Sequence, residues 1–150
     1  MLKAEMKLRQ FQSGTSLIEV LVTMVIIAIG LLGLAGLQAT SMKNNIGASN
    51  RSEATVLVYD IIDRMRANKA GAGSGSYNIA LGSDPSGGTL PATEVAEWKS
   101  ALRNRLPSGD GSISATCNIS GCFATVIVTW NDTRNANNLA DTSFTTNTKL

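Results

Sequence analysis

Three residues of this 150-residue chain stand out for their chemistry: Glu19, at the head of a long apolar run, and the cysteine pair Cys117 and Cys122. A carboxylate in such a run either lies at the water interface or is paired with a cation. Left within a bilayer it costs about 2.5–3.5 kcal/mol at the centre and less near the headgroups. Two cysteines this close in sequence read as one local disulfide formed in an oxidising compartment, or as two free thiols. Little else suggests catalysis. Histidine, the commonest general base and metal ligand, is absent. The serines fall in expected loops, and no phosphate-cradling glycine pattern follows a strand. Neither a triad nor a metal site can be assembled, so no enzymatic activity, cofactor or small-molecule substrate is expected.

The segment that positions Glu19 is the most unusual part of the chain. Val20 to Met42 contains 23 residues without a formal charge. As a helix they span roughly 34 Å, enough to cross a hydrocarbon core. Lys3, Lys7 and Arg9 against Glu5 make the first fourteen residues basic, whereas ten basic and ten acidic residues cancel beyond Gly14. This asymmetry places the N-terminus in the cytoplasm and the remainder outside. The balance beyond Gly14 argues against a large polyanion as the main partner, so nucleic acid is not expected to be one. An ordinary cleaved signal peptide has a shorter apolar stretch, followed by small residues at its cleavage site. An ordinary signal anchor fits the length but gives Glu19 no role beyond snorkelling to the headgroups.

Gly14 followed by T-S-L-I-E-V-L-V resembles the class III leader of type IV pilins and pseudopilins. The resemblance implies cleavage between Gly14 and Thr15 by a membrane prepilin peptidase, and N-methylation of Thr15 by the same enzyme. The family's usual first mature residue is Phe; here it is Thr15. Glu19 then becomes the fifth mature residue, and the resemblance implies that it meets the terminal amine of a neighbouring subunit. At an effective dielectric near 20, two unit charges about 4 Å apart attract by roughly 4 kcal/mol before desolvation. Glu19 is therefore expected to set axial register more than to supply affinity. Gly30, Gly33 and Gly36 admit close helix packing or local unwinding, or reflect ordinary membrane tolerance of glycine.

The expected fold is α+β and pilin-like, with one long helix on a small antiparallel sheet and a short extra helix. Residues 1–14 are the cytoplasmic leader, 15–42 the membrane or filament-core helix, and 43–70 its amphipathic half. Within the latter, Ala54, Leu57, Val58, Ile61, Ile62 and Met65 form an apolar stripe. Arg64, Arg66 and Lys69 make a basic patch at its end, where the helix dipole also favours cations. The glycines of 71–76 are expected to end the helix, and 71–92 to form a loop. Residues 93–150 complete the head. Thr93 is the expected N-cap of a helix burying Val95, Trp98, Leu102 and Leu106, with Glu94 and Glu97 in its first turn.

Two strands follow, at 111–119 and 122–130, by apolar alternation. A four-residue loop places Cys117 opposite Cys122, and Ile113 opposite Val126; a two-residue turn at Ser120-Gly121 keeps the same faces together. A disulfide selects the first register. Residues 143–150 supply a short last strand. The order Trp98, Leu106, Pro107, Gly109, Gly111, Ile113, then Val126 to Asp132, resembles the head of the PilV-type minor pilins.

These resemblances imply a minor pilin of a type IV pilus. Its partners would be the prepilin peptidase, other minor and major pilins and the inner membrane. It would pass once through that membrane, with its head in the periplasm, and then move to the pilus. A type II secretion pseudopilin has the same assembly physics, and a DNA- or surface-binding pilin is a third reading.

Overall fold

A computed structural model describes residues 16–119, 121–131 and 141–150. Gly14, Thr15 and Asp132 therefore lie outside the described residues. The chain divides into two compact units, Met1–Ser41 and Met42–Leu150, and one helix, α1 (Leu17–Ala67), contributes to both.

In the first unit the helix is exposed along its described length, and its hydroxyls are satisfied locally. Thr23 Oγ1 donates to the Val20 carbonyl at 2.8 Å, and Thr40 Oγ1 to the Gly36 carbonyl at 3.0 Å. Such back-bonding removes the cost of a hydroxyl in an apolar medium. α1 is the one helix among the described residues long and apolar enough to cross a membrane. It is unbroken through Gly30, Gly33 and Gly36, with open space where each Cβ would stand.

In the second unit all six residues of the expected apolar stripe are buried. They pack with a three-stranded antiparallel sheet in the order β1 (Asp110–Asn118), β2 (Gly121–Asn131), β3 (Asp141–Lys149). Ala124, Val126, Val128 and Trp130 of β2 point into the core, as alternation requires. This is the pilin-like α+β architecture that the sequence predicts. The last strand is longer than expected, and Ile119 lies in the turn, exposed, rather than on the inward face.

The first departure concerns the junction after α1. The helix ends at Ala67 rather than near residue 70, and a five-residue helix, α2 (Lys69–Gly73), occupies the start of the expected loop. Asn68 breaks α1 and caps α2, its Oδ1 accepting the Gly71 N–H at 3.1 Å. The first glycines of 71–76 thus lie within a helical turn instead of ending one. Further on, Ile79 bridges Ile113, and the Asn78 amide exchanges hydrogen bonds with the Ala115 backbone. Together they cover part of the outer edge of β1, which would otherwise offer unpaired backbone groups.

The second departure is the start of α3 (Leu90–Arg105). Its N-cap is Thr89, not Thr93, and Pro91 sits in the first turn, where a missing N–H costs nothing. Glu94 and Glu97 consequently lie beyond the first turn. The buried face is the predicted one. Trp98 also donates its indole N–H to the Leu57 carbonyl of α1 at 2.9 Å, tying the two helices together. Gly111 leaves room for that indole, since a Cβ there would stand 2.4 Å from Trp98 Cη2.

Candidate assembly site

Glu19 lies in the first turn of α1, next to the backbone groups that begin the helix. Its N–H donates to the Ser16 carbonyl at 2.9 Å, and that of Val20 donates to the same oxygen at 3.3 Å. An acidic side chain at a helix start is favoured by the dipole. Among the described residues no cation lies within ion-pair distance of it, and Glu19 is exposed. The carboxylate is thus held at one end of a bare apolar rod, and any partner must come from outside the described residues. Such an exposed carboxylate can attract a cation. Among the described residues no group of three or more His, Cys, Asp or Glu is placed to hold a metal ion.

The head contains the second predicted pair. Cys117 and Cys122 are disulfide-bonded, with Cα atoms 4.0 Å apart. Asn118 pairs with Gly121 and Cys117 with Cys122, which is the register of the four-residue loop; residues 119 and 120 separate the paired positions. The Cys122 carbonyl accepts the Leu150 N–H at 2.9 Å, so it points toward β3 and leaves the cysteine pair as a non-hydrogen-bonded site. At such sites opposing side chains come closest. The Cys117 sulfur also packs on α2, 3.1 Å from where a Cβ on Gly73 would stand.

The expected basic patch is largely neutralised. Arg64 pairs with Asp60 at 3.2 Å and with Glu97 at 2.8 Å, and Arg66 pairs with Asp63 at 3.1 Å. Arg66 also reaches the Thr148 hydroxyl of β3 at 3.1 Å.

Two polar clusters were not foreseen in the sequence. Lys99 is 1% exposed, and its ammonium meets Asp110 Oδ1 at 2.9 Å and the Ala80 carbonyl at 3.2 Å, together with the Ser83 carbonyl. Asp110 Oδ2 in turn accepts the Gly82 N–H at 2.6 Å. Burial alone would push the Asp110 carboxyl up, but the Gly82 N–H, the Lys99 ammonium and the Gly111 N–H outweigh it and hold it below the ordinary range. In the other cluster, Tyr77 donates to Glu94, and burial, reinforced by that carboxylate, pushes the phenol up to about 12. Both clusters fasten the 74–86 segment to α3 and the sheet. No sequence signal marks either pair, because each depends on how the loop folds back.

Residues 9–35 match the family model described as the prokaryotic N-terminal methylation motif. That range contains Gly14, Thr15 and Glu19. The comparisons with curated proteins and with solved structures gave no match. The chain thus joins an N-terminal methylation motif, consistent with the class III signal of the type IV pilin superfamily, to a membrane-capable helix and a pilin-like head.

Proposed function

We propose that the protein is a minor pilin of a type IV pilus, cut between Gly14 and Thr15, N-methylated at Thr15 and held in the inner membrane before assembly. The carrying observation is the methylation motif at residues 9–35, which leads into an exposed apolar helix with no cation paired to Glu19 among the described residues. Cleavage creates an ammonium at Thr15, and Glu19 meets that of a neighbouring subunit in the filament. A misplaced subunit leaves both charges unpaired among apolar helices, a cost of several kcal/mol, so the pair selects register. The head stays periplasmic until the subunit enters the fibre. The pattern from Trp98 to Asp132 supports a PilV-type head.

Mass spectrometry of the membrane and sheared-fibre fractions tests this reading. The mature chain should begin at methylated Thr15, and deletion of the protein should sharply reduce surface fibres. A chain that keeps residues 1–14 in working fibres would remove the reading. Normal fibres with impaired protein secretion in the deletion strain would instead assign it to a type II secretion pseudopilus.

A further inference from the structure

Residues 78–88 cover a sheet edge while burying almost nothing of their own. Every residue from Asn78 to Gly88 is exposed except Ile79 and Pro85, which are half-buried. The segment is fixed at both ends: Tyr77 before it is fully buried, and Thr89 after it caps α3. With so little apolar burial, its polar attachments hold it down, and breaking those is enough for local opening.

Those attachments fall into two groups. Ile79 and Ile113 exchange backbone hydrogen bonds at 3.0 and 2.9 Å. Beside them the Asn78 side chain accepts the Ala115 N–H at 2.7 Å and donates to its carbonyl at 3.3 Å. Both contacts occupy backbone groups of β1 that face away from β2, where an added strand would pair. The second group is ionic. The Lys99 ammonium joins the Ala80 and Ser83 carbonyls to Asp110, Asp110 accepts the Gly82 N–H, and Arg103 pairs with Asp84. Opening would return the buried Lys99 and the partly buried Asp110 to water, which offsets much of the loss of their contacts. The backbone has room to move: Gly82 and Gly87, at φ +71° and +105°, have open space where a Cβ would stand. Packing against α3 is also incomplete, with a cleft of about 160 Å³ lined by Ile79, Pro85, Ala92 and Val95 among others.

We infer that residues 78–86 form a hinged cover, pinned by Lys99 and Asp110, which opens as one unit while the rest of the head stays folded and so bares the outer edge of β1. Closed, the cover occupies the backbone groups of Ile113 and Ala115 with its own chain, and another chain cannot pair there. Open, it presents them for strand addition. The device acts within one head and does not depend on the assembly reading.

Hydrogen exchange of the full chain in detergent micelles, resolved to single amides by NMR, tests the cover. The amides of Ile79, Gly82, Ile113 and Ala115 should share one protection factor, lower than that of the central strand β2. Asp110→Asn, which weakens the pins to both Gly82 and Lys99, should lower that shared factor about tenfold, as for one charge-assisted hydrogen bond, and leave β2 unchanged. Acylation of Lys99 by an amine-reactive ester gives a second readout, because its ammonium is reached only when the cover lifts. Its rate should rise by the same factor in the variant. Three results would overturn the inference. One is protection of the four amides equal to that of β2 in the parent chain. Another is fast exchange at Ile79 and Gly82 with Ile113 and Ala115 still as protected as β2. The third is an Asp110→Asn variant that lowers β2 by the same factor, or leaves Lys99 acylation unchanged.

Discussion

Leu32 and Ile61 lie on one helix, yet the first is 74% exposed and the second fully buried. The difference is not in residue type, since both stretches are rich in leucine, isoleucine and valine. From Leu17 to Ile46 apolar residues occur on every side of the helix, and among the described residues nothing covers them. From Ala54 to Met65 they are confined to a stripe, and the sheet and α3 cover it. A helix hydrophobic all round needs a solvent that the chain does not provide, whereas a striped one provides its own. The two units should therefore respond to different perturbations: the head to losses of packing, the N-terminal unit to changes in what surrounds it.

The largest effect on the head should come from Trp98→Ala. It removes a buried indole and leaves the Leu57 carbonyl without its side-chain donor, and should cost about 3–5 kcal/mol in denaturant unfolding of a soluble fragment from residue 43 onward. Insertion of the full chain into membranes should be unchanged. Cys117→Ser with Cys122→Ser comes next, at about 2 kcal/mol, because the closed ring is short. The same measurement under reducing conditions should reproduce that loss.

Smaller effects should follow pH. The folded Asp110 carboxyl is held below its ordinary range, so its contribution is present above the unfolded pKa, near 3.9, and is lost as pH falls through the folded value. Melting temperatures should drop on acidification, and Asp110→Asn should flatten that dependence. Tyr77 has the opposite sign. Its phenol is pushed up to about 12, so its contribution is complete below about pH 10 and is lost as pH rises through about 12. Tyr77→Phe should reduce the alkaline loss. The smallest effect belongs to Arg105→Ala, whose exposed pair with Glu53 contributes about 0.2–1 kcal/mol.

How legible each region was follows from the range of its interactions. The stripe from Ala54 to Met65 and the alternation in β2 are local periodicities, and both could be read directly. The cysteine register was legible only in part: alternation also fits a Ser120-Gly121 turn, and only the disulfide, which admits facing positions alone, selects between them. The start of α3 was misread because Thr89 and Thr93 can both cap, and only Pro91's preference for a first turn separates them. The glycines at 71 and 73 masked α2, whose cap, Asn68, lies upstream of them. Lys99 and Asp110 lie 11 positions apart and meet only because the 80–83 loop folds over them. In the candidate site, Glu19 stands out by being charged where its neighbours are not.

Charge pairing at Glu19 is tested most directly by Glu19→Gln, which keeps size and hydrogen-bonding capacity while removing the charge. Membrane insertion, the methylated Thr15 terminus and the melting temperature of the head should match those of the parent chain. The amount of chain in sheared fibres should fall at least about tenfold, as for an ion pair broken among apolar helices. Undiminished incorporation of the Gln variant would contradict the account.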